Sequence, residues 1–241
     1  TADKNTAVGS LAMANTTTGV SNVAIGYEAL NENTTGQTNV AIGDRAMEKN
    51  TEGKENIGIG QFGLALNTTG DRNTAVGYAA LDANTTADNN TALGALALSA
   101  NTTGADNTAV GANALDANTT GGSNTAIGHN SLTTATTAPG NVGVGRGTLY
   151  STTTGGYNVG IGLYALFDNT TGAANIGIGQ NVLESNTSGD DNVAIGRRAL
   201  YSNTTADGNV AIGEQALEAN TTGTQNVAVG AFALDANTTA N

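Results

Sequence analysis

An asparagine opens a new unit every seventeen residues, at 5, 22, 39, 56, 73, 90, 107, 124, 141, 158, 175, 192, 209 and 226, with no insertion or deletion. Asn22 to Thr38 reads NVAIGYEALNENTTGQT, and the next unit, from Asn39, reads NVAIGDRAMEKNTEGKE. A period this strict restricts the chain to architectures in which one unit is one structural step laid against identical neighbours.

Numbered from its asparagine as position 1, the unit has fixed and free columns. Position 2 is Val, Ile or Thr, position 3 is Ala or Gly, position 4 is Val, Ile or once Leu93, and position 5 is always Gly. Position 9 is Leu except at Met13 and Met47, position 13 is always Thr, and position 15 is Gly or Ala. Positions 6, 7, 10, 11, 16 and 17 vary freely and hold every aromatic residue.

β-branched residues at positions 2 and 4 share one face of a strand, and the glycine at position 5 ends it. Asn-Thr-Thr-Gly is turn chemistry. The apolar columns follow no 3.6-residue period, and the glycine column opposes a helix. The pattern predicts an all-β fold, a parallel β-solenoid or β-roll of fourteen coils spanning 1–241 as one uninterrupted array. A lone coil must order seventeen residues at about 1.5 kcal/mol each while burying one Leu and two β-branched side chains, so only stacked coils are stable. Fourteen steps of roughly 4.8 Å give about 67 Å of rod. The chain begins and ends inside units, the expectation for a slice of a longer array without caps.

In-register stacking makes residues seventeen apart neighbours. It predicts Glu28 beside Arg45, Glu32 beside Lys49, Lys54 beside Asp71, Glu55 beside Arg72, Arg197 beside Glu214, and Tyr150 stacked on Phe167. Positions 1, 3 and 5 face away from positions 2 and 4, yet they never drift toward charge. This small-residue face, which includes Ala24, Gly26, Ala41, Gly43, Ala194, Gly196, Ala211 and Gly213, is expected to lie against another chain. The alternative is that close packing within one coil, or a tight bend, demands small residues.

The net charge of −12 opposes binding to nucleic acid or anionic membranes, which require a basic surface. No apolar run approaches the ~18 residues of a membrane span. Cysteine is absent, excluding disulfides and thiolate sites.

NVAIG at 22–26, 39–43, 192–196 and 209–213, followed by two free residues and Ala-Leu or a variant of it, resembles the head repeats of trimeric autotransporter adhesins. With NTTG at 33–36, 67–70 and 220–223, the chain also resembles repeats in bacteriophage tail-fibre proteins. The resemblance covers the whole chain and implies a homotrimeric, extracellular, cell-surface or virion fibre. The units here are longer than those head repeats, and the extra residues fall in the Asn-Thr-Thr-Gly turn.

Gly58, Gly60 and Gly63 match a dinucleotide-binding pattern, but the repeat itself places small residues there. Asn-Thr-Thr triplets match the glycosylation sequon because the repeat copies them. No metal-ligand cluster, nucleophile with a base, or phosphate loop is present, so no cofactor and no enzyme activity are expected. If the chain has a local contact patch, it lies at His129, Tyr150, Tyr157, Tyr164 and Phe167 in the most irregular stretch, where aromatic surfaces meet partners such as host glycans.

Two functions follow from the pattern. One is a rigid spacer in a homotrimeric fibre, with host-surface binding through the variable columns. The other is ice binding through a two-column surface ladder, Asn33 with Thr35, Asn67 with Thr69, Asn84 with Thr86 and Asn101 with Thr103.

Overall fold

The computed structural model describes residues 3–240, so the expectations touching Thr1, Ala2 and Asn241 lie outside the described residues. The described residues form an all-β parallel solenoid without a helix. Contacts divide the chain into two compact units, Thr1–Ser123 and Asn124–Asn241.

The first unit contains β1 (Thr6–Val8), β2 (Val23–Ile25), β3 (Val40–Ile42), β4 (Ile57–Ile59), β5 (Thr74–Val76), β6 (Thr91–Leu93) and β7 (Thr108–Val110). Each pairs in parallel with the next at an offset of one repeat, as Val23 with Val40 and Ala24 with Ala41. The second unit repeats this from β8 (Thr125–Ile127) through β9 (Val142–Val144), β10 (Val159–Ile161), β11 (Ile176–Ile178), β12 (Val193–Ile195), β13 (Val210–Ile212) and β14 (Val227–Val229). Each coil therefore has one three-residue strand, and turns complete it.

The strand's inward face is the small one. Ala24, Ala41, Ala194 and Ala211 are 0% exposed, together with the position-9 leucines from Leu30 to Leu217 and the asparagines at positions 1 and 12 from Asn22 to Asn220. This corrects the expectation that the alanine column lies against another chain. A narrow coil has room for a methyl group at position 3 because Leu30 and its equivalents already fill the lumen. The glycines at position 5 answer to a different constraint. Gly43 has φ +139° and Gly196 φ +128°, and a Cβ on either would lie 2.5 Å from the carbonyl oxygen of Gly60 or Gly213 in the next coil. Gly26 and Gly213 share that geometry (φ +139° and +138°). The tight bend, not a partner chain, demands glycine there.

Positions 7 and 9 adopt left-handed backbone, with Gly147 the single glycine among residues such as Glu28 (φ 52°) and Leu30 (φ 53°). Such a conformation costs about 1–2 kcal/mol per residue. Full burial of the leucine returns about 1.5–3 kcal/mol, so packing offsets the strain. Stacking supplies that burial: Leu217, followed by a further coil, is 0% exposed, whereas Leu234 in the last described coil is 52% exposed.

Two asparagine ladders run through the lumen. At position 1, the Asn39 backbone N–H donates to Asn22 Oδ1 (2.9 Å), and Asn39 Nδ2 donates to the Gly53 carbonyl (2.8 Å). At position 12, Asn50 Nδ2 donates to Asn33 Oδ1 (3.0 Å) and to the Gly53 carbonyl (3.1 Å). A buried amide must find several partners, and asparagine has the reach to bridge coil to coil and turn to strand at once. The second unit interrupts the position-12 ladder with Ala135 and Thr152, and the buried Thr152 hydroxyl has no hydrogen-bond partner among the described residues.

The ion pairs report the same register. Glu28 meets Arg45 at 3.1 Å, Glu32 meets Lys49 at 2.7 Å, and Arg197 meets Glu214. Hydrogen bonds that the Lys49 ammonium donates to Glu32 and then to Glu48 hold it above its ordinary pKa. Two pairs differ from the expectation. Asp71 accepts the Lys54 backbone N–H (2.7 Å), and Arg72 reaches Asp71 and Asp88 rather than Glu55. The stacked aspartates avoid direct repulsion by the same device, since Asp88 Oδ1 accepts the Asp71 N–H (2.7 Å).

Candidate functional site

Two surface features remain once the lumen is filled. The first is the outward strand face, positions 2 and 4. Ile25, Leu93, Ile127, Ile161, Ile178, Ile195 and Ile212 are all exposed, Leu93 to 48% and Ile195 to 37%. The parallel register sets these side chains one above another in an aliphatic stripe in each unit. Exposed β-branched ladders of this regularity are unusual on a solvent face.

The second feature lies in the second unit, on positions 6, 7 and 10. Tyr150 and Phe167, both at position 10, stack with centroids 5.0 Å apart and planes at 11°. Tyr164, at position 7, meets Phe167 edge-on at 5.2 Å. The Arg146 guanidinium sits 6.0 Å from the Tyr164 ring centre. With Asn130 and Gly147 these groups line a cleft of about 150 Å³, and Tyr164, Phe167 and Glu184 border a second hollow of about 110 Å³ beside it.

The expected contact patch is thus partly assembled. Tyr150, Tyr164 and Phe167 come together. His129 is exposed but does not line the cleft, and Tyr157 lies over Gly140 at position 17, away from it. Sequence reading missed Arg146, Asn130 and Gly147. Residues seventeen and three apart on positions 6, 7 and 10 share one face, which the coil geometry has to supply before these three stand out.

The Asn/Thr surface ladder does not exist as expected. Thr35, Thr69, Thr86 and Thr103 are exposed, but Asn33, Asn67, Asn84 and Asn101 are buried with their amides engaged in the lumen. The same burial withholds those sequon nitrogens from glycosylation in the folded chain. Gly58, Gly60 and Gly63 follow the repeat, with turn rather than helix after β4. Among the described residues no group of His, Cys, Asp and Glu could hold a metal ion, and no helix is long and apolar enough to cross a membrane.

No family model matches the chain, and no curated protein matches it either.

Proposed function

We propose that the chain is a structural segment of an extracellular or viral fibre, assembled as a homotrimer through the outward stripe of Val, Ile and Thr, and acting as a rigid spacer. The observation that carries this reading is the stripe itself. It is exposed, free of charge and repeated at the coil spacing. A globular partner has no such period, whereas another copy of this chain presents the same ladder at the same rise and satisfies every rung at once. No charged residue occupies positions 2 or 4 in any unit. The trimer and the fibre also accord with the repeats that NVAIG and NTTG resemble.

Light scattering after gel filtration tests the assembly. The expected mass is about 71 kDa, three times the 23.8 kDa of one chain. A mass near 23.8 kDa overturns the trimer.

One observation favours a second reading, ice adhesion. In the first unit the stripe carries Thr74, Thr91 and Thr108 beside Val76, Leu93 and Val110, a threonine and aliphatic array that replaces the lost Asn/Thr ladder. That reading requires the stripe to be bare. It gains only if a single-chain mass accompanies thermal hysteresis.

A further inference from the structure

We propose that the cleft over Gly147 binds one carboxylated sugar ring, a uronic or sialic-acid-type residue of a host glycan. Four observations converge on it. The first concerns the cleft's origin. Position 7 is left-handed in coil after coil, yet carries ordinary side chains: Glu28 (φ 52°), Asn130 (φ 57°), Tyr164 (φ 55°) and Asn181 (φ 54°). Gly147 (φ +63°) is the one glycine in that column, so the backbone does not require it. What its missing side chain supplies is a seat for the Tyr164 ring, which forms a wall of the cleft: a Cβ there would lie 2.7 Å from Tyr164 Cδ1.

The second is charge. The second unit has three basic residues; Arg197 pairs with Glu214 and Arg198 with Glu218, while Arg146 pairs with no carboxylate among the described residues. On a chain of net charge −12, a diffuse field repels anions, so an anionic ligand must be held by this local guanidinium. Arginine's planar fork suits a carboxylate. Glu184, beyond Tyr164 and Phe167, repels a carboxylate from the far side and so fixes the ring's direction.

The third is ring type. Tyr150 and Phe167 already stack on each other at 5.0 Å, leaving no slot for a flat base or a third aromatic ring between them. The walls that remain, the Tyr150 and Tyr164 rings, suit the C–H faces of a pyranose. The fourth is size. About 150 Å³ is well under the roughly 300–1,000 Å³ of drug-sized pockets, which limits the occupant to a single ring.

The site lies off positions 2 and 4, so it holds whether or not the stripe is covered. Titration calorimetry of the full chain with free glucuronate, and separately with glucose, tests it. Glucuronate is expected to bind at about 1–10 mM, as suits so small a ligand, and glucose at least about fivefold more weakly. Arg146→Gln is expected to abolish that preference. Gly147→Asn, an exchange that position 7 already accepts at Asn113, Asn130 and Asn181 and that displaces the Tyr164 ring from its seat, is expected to abolish binding of both sugars with an unchanged circular dichroism spectrum. Equal binding of glucose and glucuronate, no saturable glucuronate binding into the tens of millimolar, or undiminished binding to folded Gly147→Asn would each overturn the assignment. None of these results depends on the mass of the assembly.

Discussion

Asn67 is fully buried and makes three hydrogen bonds: its Nδ2 donates to Asn50 Oδ1 (2.8 Å) and the Gly70 carbonyl (3.0 Å), and its Oδ1 accepts from Asn84 Nδ2 (2.9 Å). Asn67→Ala strands partners on both sides, and each buried orphan costs about 1–3 kcal/mol. A loss of about 3 kcal/mol or more in denaturant unfolding is expected, against under about 0.5 kcal/mol for Thr69→Ala two positions on, whose side chain is exposed. The reverse experiment uses the ladder's own gap. Thr152→Asn restores the amide that neighbouring Asn169 lacks, at a position where asparagine is otherwise the rule. It should raise stability by about 1 kcal/mol, and a destabilised variant would show that the ladder is not what stabilises the lumen. Asp82 contributes a pH dependence of its own. Burial raises its carboxyl above the ordinary value. A raised folded-state pKa favours the folded chain while the group is protonated, and that contribution is lost as pH rises through it. Asp82→Asn should therefore raise the melting temperature at neutral pH and leave it unchanged in acid below the unfolded carboxyl's pKa. A gain that persists in acid would contradict this.

One coil is the element, and its legibility from sequence was uneven for physical reasons. Period, parallel register, strand position and several ion pairs follow from counting, because stacking converts an offset of seventeen residues into contact. Facing did not follow. Period-two alternation separates two faces but does not say which is inside, and Val with Ile are ordinarily the buried pair. Here the lumen is so narrow that leucine at position 9 and two asparagines fill it, leaving room for alanine alone at position 3. Left-handed leucines were equally hidden, since no local rule places Leu30 at φ 53°. If the coil is the unit of stability, removing residues 56–72 joins Glu55 to Asn73 and keeps every ladder in register. That deletion should leave the circular dichroism spectrum β-type and the melting temperature little changed, whereas deleting Gly53 alone should unfold neighbouring coils. Equal tolerance of both deletions would contradict the stacked-coil account.

On the scale of the molecule, the functional features were visible in part. Three aromatic residues of the cleft were picked out from their clustering, while Arg146 and Gly147 were missed because a lone cation and a lone glycine in variable columns carry no signal until columns 6, 7 and 10 are known to share a face. The stripe was read correctly as one face and wrongly as the interior. Its reassignment moves the proposed chain–chain contact from the alanine side to the Val/Ile side. The absence of cysteine allows that contact to be read one residue at a time. In the single chain Ile195 and Thr171 are both exposed, so Ile195→Cys and Thr171→Cys should react with a maleimide at similar rates if nothing covers the stripe. The account predicts that Ile195→Cys reacts at least about tenfold more slowly in the native assembly, and at the same rate as Thr171→Cys after denaturation. Equal native rates would contradict it.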